Sequence, residues 1–499
     1  MPALVYFKSL CNEFAMPLHL HDTFTRQLKE VRPHDGQSLR FYCCGPTVYA
    51  PAHIGNLRTF VLQDVFRRTV EANGISVKHI RNLTDVDDKT IRAANEQKLP
   101  LEDFTRPWIT RFQEDCQSLN MLPPSEEPAA TAHIPEQMKL IETLLAKGHA
   151  YATDDGSVYF KVSSFPSYGK LSRLDERELQ STVPEGPQDA DEYEKADRSD
   201  FALWKGRKPE DGEVFWETPW GRGRPGWHLE CSAMSMAALG STLDVHGGGV
   251  DLVFPHHENE IAQSEACTGQ LFVHHWFHCA HLMVEGEKMS KSLGNMYTLD
   301  DLTKDGLSPL IVRFVLLSGH YRQQLNFTFN ALHAANEALR KFSQTLLRII
   351  PRAEIDLATF RHWCRAPGDQ NELFNESPLQ NAWNLLCRDL NTSGAWGQLM
   401  KQRGRWEKEK DPGILQRDLQ ALAHLLYALG LEQLPFAPEE EKSEPEAPAE
   451  IQTLAEKRWQ AKANRDFATA DELRDSLKNK GWLVKDSRDG YTLRPATKS

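Results

Sequence analysis

The chain is short of cysteine, of long apolar runs and of positive charge, and each shortage removes a class of protein. Nine cysteines in 499 residues are too few to staple a secreted scaffold, and the odd number leaves a thiol unpaired. A reducing, cytoplasmic setting is expected, with thiols kept free for metal or chemistry. No uncharged apolar stretch approaches the ~18 residues of a membrane helix, and the first residues lack the basic-then-apolar order of a signal peptide. A mean hydropathy of -0.53 fits a soluble globular chain with no membrane partner. Lys and Arg number 58 against 70 Asp and Glu, a net charge of -12. That balance discourages bulk nucleic-acid binding, although a local basic face can still hold a polyanion.

Internal repeats are also lacking, and low complexity is confined to one place. Between Pro438 and Glu450 lie six Glu, three Pro and one Lys, a composition that cannot build a core and reads as a linker. Upstream, Leu39 to Cys44 reads as a short buried strand, and Gly45-Pro46 breaks it. Thr59 to Ala72 carries apolar residues at helical spacing, Asn73-Gly74 stops it, and Val77 to Leu83 supplies a second strand. Strand, helix, strand with polar residues at the strand ends is half of a nucleotide-binding sheet. The predicted fold class is therefore α/β: a Rossmann-type catalytic domain with an inserted subdomain, followed by a helical bundle and a small C-terminal module. The expected divisions are an extension at 1–17, the first catalytic half at 18–114, the insertion at 115–224 and the second half at 225–280. A lysine-loop region follows at 281–325, then the bundle at 326–437, the acidic linker at 438–450 and the terminal module at 451–499.

Two segments carry candidate chemistry. His53-Ile54-Gly55-Asn56 occupies the turn into the first helix, where free N–H groups favour a phosphate and an imidazole can donate to its oxygens. Lys288-Met289-Ser290-Lys291-Ser292, bounded by Gly286 and Gly294, sets two lysines on a loop able to clamp a triphosphate. Singly, each has a plainer reading, a solvated turn histidine and a basic surface turn.

Together, in this order, they resemble the signature pair of class I aminoacyl-tRNA synthetases. Cys44-Gly45-Pro46-Thr47-Val48-Tyr49, Arg81 through Lys89, Gly226 through Met234, and His246-Gly247-Gly248-Gly249 on to Glu260 narrow the likeness to the cysteinyl-tRNA synthetase family, from about Leu18 to Arg494. The resemblance implies a cysteine–tRNA ligase with L-cysteine, ATP with Mg2+, and tRNA(Cys) as partners, acting as a monomer. It implies His53, Lys288 and Lys291 as the catalytic residues and, with Asn56, as the ATP contacts. The family's first motif usually ends in a second histidine; here that place holds Asn56, which keeps a donor for phosphate or ribose.

A metal reading also rests on residue chemistry. His256 and Glu260 are four apart after Pro255, so a helix opened there projects both from one face, and Cys44 and Cys231 would complete a four-ligand set. A lone pair of that spacing is more often a surface ion pair; the resemblance places one Zn2+ per chain on Cys44, Cys231, His256 and Glu260. Gly45, Thr84, Trp227 and Asp251 are expected at the cysteine, with Trp227 walling the pocket. Cys43 points away from the site as a core residue, and the group His274, His275, His278, Cys279 and His281 is expected to form the sheet's next strand rather than hold a metal. Asp85, Asp87 and Asp88 read as a solvated acidic loop without a role.

The rivals are a related ligase that joins cysteine to an amino sugar but lacks the basic C-terminal module, and a catalytically silent tRNA-binding paralogue. That module holds 11 Lys and Arg against 7 Asp and Glu. Ala463 to Lys480 reads as an amphipathic helix with Phe467, Ala470, Leu473 and Leu477 inward, followed by Trp482 and a hairpin ending near Arg494. Basic side chains beside aromatics suit a single-stranded RNA loop.

Overall fold

In a computed structural model the described residues are 17–173, 200–290, 292–304, 306–364, 371–374, 377–434, 447–464, 466–486 and 490–495. The N-terminal extension, most of the acidic linker and Lys291 lie outside them. Two compact units divide the chain, Met1–Pro435 and Phe436–Ser499.

At the centre of the first unit is a four-stranded parallel sheet in the order Val273–Cys279, Leu243–Gly249, Leu39–Cys43, Val77–Arg81. Strand Leu39–Cys43 is buried except at Arg40, as expected of a parallel strand covered on both faces. The chain steps from it to one side, Val77–Arg81, and later returns on the other, Leu243–Gly249. The strand order therefore reverses between Cys43 and Gly249, and in open α/β sheets ligands bind at the carboxyl ends of the strands where this happens. Cys44 N donates to Gly247 O across that gap, at 3.2 Å.

The helix expected from Thr59 begins earlier and spans Ile54–Ala72, with His53 as its N-cap. It is buried nearly all round because it lies against the sheet, helix Pro309–Leu316 and helix Pro412–Leu429. Its polar residues consequently form an internal network. Asp64 accepts from Arg68 at 2.9 Å and from Arg313 at 2.6 Å, and Arg68 also meets Glu432 at 2.9 Å. Arg58 donates to the carbonyls of Ala280, His281, His320 and Gln323, fastening the helix to the segment that leads into the lysine loop.

The insertion contains helix Ile134–Ala146 and a five-stranded antiparallel sheet built from Ala150–Ala152, Val158–Phe160, Phe201–Gly206, Trp216–Thr218 and Gly221–Pro225. Its expected start at residue 115 falls inside a continuous helix, Leu101–Ser118. Beyond the lysine loop come helices Phe329–Arg352, Leu357–Trp363, Gln380–Cys387, Thr392–Lys408 and Pro412–Leu429.

In the second unit, helices Ala449–Ala463 and Phe467–Asn479 precede strands Trp482–Asp486 and Tyr491–Pro495, paired antiparallel as the expected hairpin. Ala470 and Leu477 face its small core, Leu473 is half-buried, and Phe467, expected inward, is 60% exposed. Phe467 is the first residue of its helix, preceded by the capping Asp466, so the turn that would cover it is missing.

Candidate active site and metal centre

A cavity of about 570 Å3 opens at the strand ends, at the reversal point of the sheet. Cys44, Gly45, His53, Asn56, Trp227 and Asp251 all line it. Gly45 is there because the backbone turns against Asn82: a Cβ on Gly45 would lie 1.7 Å from Asn82 O, and Gly45 N donates to Asn82 Oδ1 at 2.8 Å. Thr84 instead lies beneath the surface, its hydroxyl accepting from Asn82 Nδ2 at 3.2 Å, and it does not line the cavity.

His53 closes the helix N-terminus with its own ring. Nδ1 accepts from Asn56 N at 3.3 Å, which leaves the proton of a neutral imidazole on Nε2, free to donate. Burial lowers the pKa of this ring, and the nearby Asp251 carboxylate opposes that only in part. The lysine loop reaches the same place: Met289 packs over Gly55, and Ile54 N donates to Tyr297 O at 2.9 Å. Asn295 ties the loop's two ends, its Oδ1 accepting from Ser290 N and its Nδ2 donating to Lys288 O. Lys288 is exposed on this loop.

Cys44, Cys231, His256 and Glu260 converge at one end of the cavity, all buried, with their ligand atoms within 4.8 Å of one another. Pro255 does not itself open the helix; a turn over Val253–His257 runs into helix Glu258–Thr268, and His256 keeps its relation to Glu260 across the junction. Cys44 Sγ lies 3.8 Å from Cys231 Sγ and 3.7 Å from Glu260 Oε1, and His256 Nε2 lies 3.1 Å from Glu260 Oε1. The set suits a cation. A hydrogen bond from Cys44 draws the Cys231 thiol down to about 6 against its burial. Burial alone would raise Glu260, but the neighbouring His246 and His256 hold it at about 2. His256 Nε2 is buried and faces the cluster, where its nearest polar neighbour is the Glu260 carboxylate.

A ring of histidines surrounds these four residues, and the sequence pattern did not single it out. His246 Nε2 meets Glu260 Oε2 at 2.9 Å, and His228 Nδ1 lies 2.9 Å from His256 Nδ1. His257 sits 3.4 Å from Cys44 Sγ and is braced by His278, which in turn contacts Thr23. Cys44, His246, His257 and Glu260 also form a compact donor set. In that second set, however, His246 Nε2 is already spent on the carboxylate and one thiol is missing, so the first set is the better fit. On strand Val273–Cys279, His278 reaches His257 at the carboxyl end, while His274, on the same face four residues earlier, stacks on His34 at 3.4 Å. Asp85, Asp87 and Asp88, expected as a solvated loop, each have a structural partner, although Asp88 stays half-exposed. Asp85 accepts from Thr131, Asp87 caps helix Asp88–Gln97, and Asp88 pairs with Arg224 and Lys205.

The profile of the class I (C) tRNA synthetase catalytic domain matches residues 30–337. A cysteine–tRNA ligase of Opitutus terrae is 52% identical over 97% of this chain and 100% of its own. The chain belongs to the cysteine–tRNA ligase family of class I synthetases. A second such ligase, from Protochlamydia amoebophila, is 41% identical over 97% of this chain and 99% of its own. Among solved structures, methionyl-tRNA synthetase of Mycobacterium tuberculosis with methionyl-adenylate superposes with a TM-score of 0.53 at 15% identity, over 79% of this chain and 90% of that one. A leucyl-tRNA synthetase complex of Agrobacterium radiobacter gives 0.57 at 12% identity, over 79% and 85%. These distant likenesses establish the fold. No helix among the described residues is long and apolar enough to cross a membrane.

Proposed function

We propose that this synthetase joins L-cysteine to tRNA(Cys) in two steps within the one cavity. The cysteine carboxylate attacks the α-phosphorus of ATP, and the bond to pyrophosphate breaks. A hydroxyl of the terminal ribose then attacks the carbonyl carbon of the adenylate, and AMP leaves. No side chain acts as a nucleophile, so the protein's contribution is placement and charge. His53 donates from Nε2 at a helix N-terminus, where phosphate is already favoured. Lys288, with Lys291 from the same loop, meets the charge that grows on the departing pyrophosphate, with Mg2+ accompanying the nucleotide.

Cys44, Cys231, His256 and Glu260 would hold Zn2+, which when bound supplies a thiophilic Lewis acid that prefers the thiolate of cysteine to the hydroxyl of serine. Trp227 covers this end of the cavity, its ring 4.5 Å from that of His256. Gly45 and Asp251 line the adjoining wall, where the substrate's ammonium and backbone come to rest. The free thiols of the described cysteines fit a reducing cytoplasm.

The observation that carries this reading is the placement of a buried two-thiol donor set in the wall of the same cavity as the His53 helix N-terminus. Cysteine-dependent ATP–pyrophosphate exchange tests it. Exchange with cysteine and little with serine is expected; no exchange from zinc-loaded protein would overturn it in favour of a silent paralogue. The relatives' match over 97% of the chain takes in the C-terminal module, which favours tRNA over an amino sugar as acceptor.

A further inference from the structure

The adenylate draws on residues at the strand ends and the first helix. Tyr49, Lys89 and Trp108 wall the same cavity and belong to neither the phosphate-binding segments nor the metal set. Lys89 follows Asp88 in the first turn of helix Asp88–Gln97, and Trp108 stands on helix Leu101–Ser118. The Lys89 ammonium lies over the face of Tyr49, 5.8 Å from the ring centroid. Its acidic neighbours do not neutralise it: Asp87 accepts from backbone at the helix start, and Asp88 is engaged by Arg224 and Lys205. Among the described residues Lys89 makes no ion pair.

Transfer brings a third reactant into this space. The terminal ribose must reach the carbonyl carbon of the adenylate, so the last nucleotide of the RNA has to share the cavity with it. A cation beside aromatic rings is the chemistry that holds an unpaired nucleotide, with the ammonium meeting phosphate and a ring stacking on the base. The triphosphate of ATP, the other anion that enters, already has the His53 turn and the lysine loop. We propose that Lys89, Tyr49 and Trp108 form the subsite for the 3′-terminal nucleotide of the acceptor RNA. They are positioning residues for the second step and are dispensable for the first. The assignment rests on the ligase reading above.

The test uses the full chain with Lys89→Gln, Trp108→Ala and Trp108→Phe. Three quantities are compared: cysteine-dependent pyrophosphate exchange, single-turnover transfer from preformed adenylate, and binding of a minihelix RNA with or without its terminal nucleotide. Exchange should stay near the parent's rate, while transfer falls by about 10-fold or more in Lys89→Gln and Trp108→Ala, the scale of losing one stacked base or phosphate contact. Trp108→Phe should recover most of the loss. Trp108→Ala should weaken binding of the intact minihelix and leave the shortened one unchanged. The proposal is overturned if exchange falls in step with transfer, which would assign the subsite to ATP. Unchanged transfer, or equal weakening with both RNAs, also overturns it. Failure of the parent itself to exchange is a different result, and it would sink the ligase reading.

Discussion

A Cβ placed on Gly55 would stand 2.5 Å from Cε of Met289. The histidine turn and the lysine loop thus meet across a missing side chain, and the loop's position over the proposed phosphate site depends on that space. Gly55 lies inside the first turn of helix Ile54–Ala72 at ordinary helical angles, so alanine there does not strain the backbone. Gly55→Ala should leave thermal stability unchanged or raise it by up to about 1 kcal/mol. Turnover in pyrophosphate exchange should nevertheless drop by about 10-fold, because Met289 and the loop it carries are displaced. Parallel melting and exchange measurements check both halves; full activity would mean that the loop closes without this contact.

Cys231→Ser and His256→Ala each open the buried donor set. With the one zinc per chain proposed for the parent, metal content by elemental analysis should fall to well below it in each variant, with an affinity loss of at least about 100-fold, and cysteine activation should fall with it. One zinc retained with normal activation in both variants would remove this set from consideration.

In the proposed mechanism Lys291 meets charge that is larger in the transition state than in bound ATP. Lys291→Ala should reduce kcat for pyrophosphate exchange by about 100-fold or more, with a smaller change in KM for ATP. A defect confined to KM would contradict the role.

Truncation at Pro438 removes the helices and hairpin of the second unit and none of the residues that line the cavity. On the reading that the basic module supplies phosphate contacts, exchange should survive nearly intact while tRNA charging at limiting tRNA falls by at least about 10-fold. Equal charging by the truncated and full chains would show that the module does not read the tRNA.

His275 is buried on strand Val273–Cys279, where burial, the leading cause, holds its imidazole at about 4. The unfolded chain protonates this group near 6.5, so the folded state binds fewer protons between those values. Its contribution to stability is fully present above pH 6.5 and is lost as pH falls through about 4, a change on the order of 3 kcal/mol. In His275→Gln the decline of the unfolding midpoint across that window should be shallower than in the parent; identical slopes would mean that the ring is already solvated.

Much of this site could be read from the sequence, because it is carried by short segments whose local chemistry is conspicuous. The break after Cys44, the glycine at position 55 and the His256 to Glu260 spacing each mark a place where backbone or ligand geometry restricts the residue type. What could not be read depends on contacts between distant segments. Asp85 and Asp88 look partnerless until Thr131, Arg224 and Lys205 arrive from the insertion. Asp64 and Arg68 look like the wet side of an amphipathic helix, yet both are buried under the bundle. Helix Thr392–Lys408 gave little periodic signal because Gly394, Gly397 and Gly404 interrupt its apolar positions. His246 was hidden in a glycine run, where nothing local reveals that its ring turns toward Glu260.

The neighbours of the central strand set an order of events during synthesis. As the chain emerges from its N-terminus, Leu39–Cys43 can pair with Val77–Arg81 at once, but its other edge stays bare until Leu243–Gly249 has been made. Until then the nascent catalytic half exposes an apolar strand edge, the kind of surface that invites pairing with a foreign chain. The first donor of the cluster, Cys44, must likewise wait for Glu260, so the candidate metal site can be assembled only after the whole insertion has been made. Fragments that stop within the insertion should therefore be both metal-free and sticky, a quality-control burden that arises from the strand order.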